Sequence, residues 1–351
     1  MHLHLHLSYL ALKGNKLNNF DVIRFLLSMT VFLIHAAFLS QSIFLKPIEF
    51  FLSSEIAVES FFIVSGFLIF MSYENSSNIK TYLLKRIKRI YPGYITVIFL
   101  STAFIFYSNL DFYNIYFMQS TFKYFITNSF FLNFLQPEVG GVFQNNHLKA
   151  INGALWTLKI EVMFYLIVPF IAIFLKRFNT ALILCLIYLL SLFYSYWVGN
   201  LMESGYLNST SQLKHQLPAQ LVYFSVGALL FYYFAFFRKY FFVFLLAALA
   251  IFFLKNIEFF RLLFPLALGC VIIACATLLP YLGKFSKFGD LSYGVYIIHF
   301  PVIQYFISIG IYKGSAIWGF TLSMITVLFL AFVLWHFVEK PFLSRSSHYL
   351  K

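Results

Sequence analysis

The sequence predicts an all-α, polytopic membrane protein of about ten transmembrane helices with both termini cytoplasmic. One observation is composition: 61% of residues are hydrophobic, 22% aromatic and 11% charged, and mean hydropathy is +0.83, far from the balance of a water-soluble domain. A second is that apolar windows of roughly 20 residues, the length needed to cross a hydrocarbon core as helix, recur along the chain. The third is charge placement. A formal charge of +13 would suit a nucleic-acid partner if it were gathered on one face, but the 25 Lys and Arg lie in short clusters between apolar runs. That pattern specifies a lipid bilayer as partner and no nucleic acid.

Ten windows satisfy the length requirement: 21–41, 52–72, 92–108, 154–175, 180–198, 219–236, 240–254, 262–280, 289–310 and 316–337. Segment 122–135 is also apolar, but it is short and includes Lys123, Asn128 and Asn133, so it reads as a re-entrant or interfacial piece. With the N-terminus inside, the cytoplasmic connections hold 16 Lys and Arg and the opposite loops hold seven, the bias expected of an oriented membrane protein. The organisation is therefore a cytoplasmic segment 1–20, a single transmembrane domain 21–343 and a cytoplasmic tail 344–351. No repeat period is evident. Cys185, Cys270 and Cys275 lie in apolar runs without metal or redox spacing and read as small core residues. His2, His4 and His6 alternate without a partner segment, so no metal site is expected there.

Ionisable side chains inside a membrane span need a partner or a function. Arg24 and His35 are eleven positions apart on the first span, which leaves about 20° of angular offset and about 16 Å of rise, so both project from one face. Arg24 reads either as a snorkelling cation or as a functional one. His35 reads either as a hydrogen-bonded core histidine or as a general base, the role that imidazole suits near neutral pH. On the ninth span Ser292, Tyr296 and His299 fall at i, i+4 and i+7, a polar stripe for interhelical hydrogen bonds or for a site. Glu161 lies five positions beyond Trp156 on the fourth span, and reads either as a group that orients a histidine or binds an acceptor sugar or as a buried partner of Lys159 or of another helix; Glu59 lies on the second span ahead of the small pair Ser65-Gly66, which permits a close helix approach. Arg86 and Arg89, one turn apart, can converge on phosphate groups or serve topology and lipid contact.

These segments together resemble the membrane-bound acyltransferase-3 family, whose members include O-antigen and Nod-factor acetyltransferase types. The resemblance runs from about residue 18 to 343. It rests on Asp21, Arg24 and His35 (the Arg, ten residues, His pattern), on Glu59 to Leu68, on Arg86, Arg89 and Pro92, on Trp156-Thr157-Leu158 with Glu161, Phe164-Tyr165 and Pro169, on Ser292-Tyr293, Tyr296 and His299-Phe300-Pro301, and on Glu339-Lys340-Pro341. Lys159 departs from the small or neutral residue common at that place. The resemblance implies ten membrane helices in a cell membrane and transfer of an acyl group, most simply acetyl, from acyl-CoA to a hydroxyl of a surface carbohydrate or its lipid-linked precursor. On that reading His35, His299 and Glu161 are the catalytic candidates, His35 acting as base or acyl carrier and the other two orienting it or the acceptor. Arg24, Arg86 and Arg89 face the coenzyme; Glu59, Ser65, Trp156 and Tyr296 face the substrate; no metal is implied. The competing expectation is a transporter of glycan or lipid-linked intermediates, against which the lack of paired broken helices in repeated halves argues.

Overall fold

The computed structural model describes residues 18–108, 115–203, 210–283 and 289–343. The amino-terminal histidines, most of the amino-terminal segment and the tail lie outside them, as does the basic connection 284–288. Among the described residues there are helices and turns and no strands, and eight helices are long and apolar enough to cross a membrane. The protein is an all-α, polytopic membrane protein.

The helices used below are α1 (Phe20–Ser40), α2 (Ser54–Glu74), α3 (Ile79–Ser108), α4 (Ile115–Ser129), α5 (Trp156–Arg177), α6 (Thr180–Glu203), α7 (Leu217–Tyr232), α8 (Phe241–Leu254), α9 (Glu258–Thr277), α10 (Leu291–Ser308) and α11 (Ala316–Leu334). Each of the ten expected windows is occupied by a helix, with two departures of length. α7 and α8 have 16 and 14 residues, about 24 and 21 Å, and are not among the eight long spans. α7 stops because Tyr233 leaves helical geometry before a short helix resumes over Phe234–Lys239. The third helix is much longer than its window, because the basic stretch 80–91 contains no helix breaker and winds straight into the apolar run. Segment 122–135 splits between α4 and a 3-10 turn at Asn133–Leu135. Cys185 is exposed on the outside of α6, which corrects the expectation of a core residue.

The chain divides into two compact units. One contains the described residues within Met1–Ile23, with Val58–Tyr82 and Ile160–Gly283. Its centre is the crossing of α2 and α7. A methyl group on Gly66 would lie 2.1 Å from the Phe224 carbonyl oxygen, and one on Gly227 would lie 2.0 Å from that of Ile63. The two backbones are therefore in direct contact, as expected of small residues where lipid gives no hydrophobic drive to association. Phe164 stacks on Phe224 beside this crossing, with ring centres 4.0 Å apart. Asn19 ties the start of α1 to the end of α9, donating to the Cys275 and Pro280 carbonyls and accepting from the Leu282 amide.

The other unit contains Arg24–Ala57, Leu83–Lys159 and the described residues of Lys284–Lys351. Here α10 packs along α11, where a methyl group on Gly294 would lie 2.9 Å from Ala331. Tyr94 of α3 donates to the Asn128 carbonyl at the end of α4. The loop before α5 is laced to α10: Asn146 donates to the backbone and side-chain oxygens of Gln304, and Gln304 donates back to the Leu148 and Ala150 carbonyls.

Prolines inside the helices each free the carbonyl four residues earlier. Two of those carbonyls are met by side chains, as a dry surrounding demands. Tyr82 donates to Tyr165, the carbonyl freed by Pro169, in the first unit. Asn152 donates to Ile297, the carbonyl freed by Pro301, in the second.

Candidate active site

The second unit brings together Arg24 and His35 from α1, Arg89 from α3, Tyr296 and His299 from α10, and two carboxylates: Asp290, not anticipated from sequence, and Glu339, which carried no site role there. At its centre His35 Nδ1 lies 2.7 Å from His299 Nε2, and the two rings are 11° from parallel. His299 is 0% exposed, whereas His35 is partly accessible. The proton positions follow from chemistry. His299 Nδ1 is 3.1 Å from the Val295 carbonyl oxygen, which can only accept, so Nδ1 bears the proton of a neutral His299 ring. Its Nε2 must then accept, and His35 Nδ1 must donate to it. That leaves the lone pair of His35 on Nε2, where no hydrogen bond engages it among the described residues. The arrangement fixes the tautomer of His35 through a second ring, itself fixed by the backbone. Phe300 stands edge-on to His35 and Phe32 edge-on to His299, restricting both rings.

Toward the start of α10 the charges form a closed cluster. Asp290 caps the helix by accepting from the Ser292 amide, an N-cap role that Asp fills well. Its other carboxylate oxygen accepts from Arg24 at 2.8 Å and also from Arg89. Arg89 donates with its remaining amino group to Glu339 at 2.9 Å. Its guanidinium lies between two rings, 5.6 Å from the centre of Tyr293 and 5.8 Å from that of Trp335, favourable cation–π geometry. Trp335 and Glu339 reach the same guanidinium because Trp335–Glu339 is a turn of π-helix ending α11. Gly289 precedes Asp290 with φ of +99°, and a methyl group there would lie 2.2 Å from Trp335, so only glycine lets the chain pass beneath that ring. Glu339 Oε1 is buried without a hydrogen-bond partner among the described residues.

The remaining expected residues are placed as follows. Arg24 and Arg89 are bonded to carboxylates, and their two positive charges are matched by Asp290 and Glu339. Arg86, on the same helix, is partly buried. Tyr296 lies 2.8 Å from Thr157, whose hydroxyl donates to the Ala154 carbonyl and therefore accepts from Tyr296; this joins α10 to the start of α5. Trp156 is partly buried at that start. Lys159 sits 4.9 Å over the ring of Phe134. In the first unit, Glu161 accepts from Tyr165 at 2.6 Å, Glu59 accepts from Tyr223, and Ser65 is half-buried beside the Gly66 crossing. Among the described residues no group of three or more His, Cys, Asp or Glu side chains is disposed to hold a metal ion.

Eight long apolar helices define an integral membrane protein, and its second unit holds a hydrogen-bonded pair of imidazoles. The chain belongs to the acyltransferase-3 family, whose acyltransferase domain matches residues 17–336, and it is an acyltransferase that transfers groups other than aminoacyl groups. It is 31% identical to an O-acetyl transferase of Shigella phage Sf6 over 344 residues, 95% of this chain and 98% of that one. A putative peptidoglycan O-acetyltransferase of Bacillus subtilis, YrhL, is 24% identical over 82% of this chain and 50% of its own length. An uncharacterized Haemophilus influenzae protein is 32% identical over 39% of this chain and 57% of its own. No solved structure matches the sequence.

Proposed function

We propose that this protein is an O-acetyltransferase of the cell membrane that moves an acetyl group from acetyl-CoA to a hydroxyl of a surface carbohydrate or its lipid-linked precursor. The observation that carries the reading is the 2.7 Å contact between His35 and His299, with its fixed tautomers. His35 Nε2 takes the proton of the acceptor hydroxyl as the oxygen attacks the thioester carbonyl. The carbon–sulfur bond breaks, and the departing thiolate recovers the proton from the same nitrogen. His299 holds the ring and accepts the Nδ1 proton's hydrogen bond throughout, the assistance expected of a group that orients a general base. Likeness to an O-acetyl transferase supports an oxygen acceptor, and likeness to a putative peptidoglycan O-acetyltransferase supports a glycan.

The donor enters from the cytoplasm in this reading, with its phosphates toward Arg24, Arg86 and Arg89. Asp290 and Glu339 hold two of these guanidiniums in a fixed array, so the array is ordered before the donor arrives. From Arg24 to His35 the helix rises about 16 Å, the distance over which a flexible thioester arm must reach. Within the second unit, Trp156 and Tyr296 are proposed to line the acceptor side.

Purified protein in detergent, given acetyl-CoA and a carbohydrate acceptor, should release coenzyme A and acetylate the glycan. His35→Gln keeps size and hydrogen bonding but removes the proton-accepting nitrogen, and it should lower the rate by ~10² to 10⁴-fold while donor binding persists. Transfer within a few-fold of the parent would make His35 a core histidine, and glycan movement without thioester cleavage would identify a transporter.

A further inference from the structure

Helix α10 must hold His299 within hydrogen-bond reach of His35, yet Pro301, two residues on, breaks the helix ladder. Pro301 has no amide proton, so the Ile297 carbonyl lacks its normal donor. That carbonyl lies between Val295, whose oxygen receives His299 Nδ1, and His299 itself. An unsatisfied carbonyl at this place would leave the turn that aims His299 free to relax, because nothing in a dry surrounding would hold it.

Asn152 fills the gap. Its Nδ2 donates to the Ile297 oxygen at 2.8 Å, and its Oδ1 accepts from the Ala154 amide at 3.2 Å. These two partners, one acceptor and one donor, fix which way the amide points. Asn152 is 5% exposed, so water does not share the bond. The next residue grips the same turn from the other side. A methyl group on Gly153 would lie 2.7 Å from the Phe300 ring, and that ring stands edge-on to His35 with centres 5.4 Å apart. Residues 152 and 153 thus meet α10 two residues before and one residue after His299.

We propose that Asn152 is a positioning residue for acyl transfer: it replaces the backbone donor that Pro301 removes and so fixes the turn that aims His299 at His35. The proposal rests on the reading of the histidine pair given above. It assigns a role to a neutral side chain in a loop, outside the set of charged and ring residues that line the pair. Positioned groups tolerate little displacement, and a shift of about 1 Å from a change outside the chemistry can cost on the order of 100-fold.

The test is a mutational cycle on the full chain, reading kcat, the KM for acetyl-CoA and the thermal midpoint. Asn152→Ala should lower kcat by about 10- to 100-fold and leave the donor KM unchanged. The same substitution in a Pro301→Ala background should cost much less, because the amide at position 301 can then donate to Ile297 itself. A kcat at the parental level with a lowered midpoint would mean that Asn152 is only structural, and an equal kcat loss in both backgrounds would mean that it does not act through the Ile297 carbonyl; either overturns the proposal. Should Asn152→Ala fail to accumulate, Asn152→Gln retains the amide but displaces it by one methylene and must show the same kcat loss and the same relief. His35→Gln assayed alongside separates the two readings. If it retains transfer, the histidine reading falls and this proposal with it; if it is inactive while Asn152→Ala is not impaired, the positioning role alone falls.

Discussion

Asp290 accepts hydrogen bonds from two guanidiniums and from its own helix start, with its side chain 1% exposed. Removing its charge takes from Arg24 and Arg89 the buried carboxylate they share. Loss of one partner of a buried ion pair typically costs about 3–5 kcal/mol, chiefly because the other charge stays buried. Asp290→Asn should therefore lower the thermal midpoint of detergent-solubilised protein sharply, and adding Arg24→Gln should restore part of the loss by removing one of the stranded cations. No recovery would mean that Arg24 is held by other groups. Of this site, the sequence exposed His35, His299 and Arg24, because ionisable groups in apolar runs stand out, and also Tyr296 as part of a polar stripe and Arg89 as one of two arginines a turn apart. Asp290 did not stand out, since an aspartate at the edge of a run is indistinguishable from an ordinary helix cap. Glu339 follows the last run and appeared only as part of a resemblance. Asn152 is a neutral residue in a loop, and its significance depends on a proline 149 positions later, a pairing that spacing does not reveal.

The helices show the same division between what periodicity reveals and what packing decides. Apolar windows located every long helix, because lipid imposes both length and composition on a span. They misjudged α3, where clustered Lys and Arg suggested a connection although those residues are good helix formers. They also could not tell that Gly66 and Gly227 face each other, since each is a lone small residue in its own window. The α2–α7 crossing makes a testable claim. Gly66→Ala and Gly227→Ala should each destabilise the protein by about 1–3 kcal/mol through overpacking, because the inserted methyl meets backbone and not a yielding side chain. Gly199→Ala on α6, where a methyl group would meet nothing within 4 Å, should be neutral or slightly stabilising, as alanine is the better helix former. Equal thermal midpoints for all three variants would rule out backbone contact at the crossing.

Orientation belongs to the whole chain, and the length of α3 bears on it. Its 30 residues extend about 45 Å, roughly 15 Å more than a hydrocarbon core of about 30 Å. The excess falls at the end that holds Lys80, Lys85, Arg86, Lys88 and Arg89, so that end should stand on the cytoplasmic side under the positive-inside rule. Together with the 16 to seven division of basic residues, this predicts that both termini are cytoplasmic and that α4 does not cross. α4 has 15 residues, contains Lys123 and buries Thr121 and Asn128, features of a segment held against other helices and not of one surrounded by lipid. Reporter fusions check the map. The informative points are the connections between helices, after Ser77, Phe178 and Lys287, all of which should report cytoplasm, and after Gly140, which should report the opposite side. If Ser77 reports cytoplasm while Phe178 and Lys287 do not, α4 is a true span, and every connection beyond it changes side. The arginines proposed to face the donor would keep their cytoplasmic assignment in that case, because Arg86 and Arg89 precede α4. Asp290 would not, although it is bonded to Arg89. The ion cluster at the start of α10 therefore agrees with the map only if an even number of crossings, that of α3 included, lies between Arg89 and Asp290.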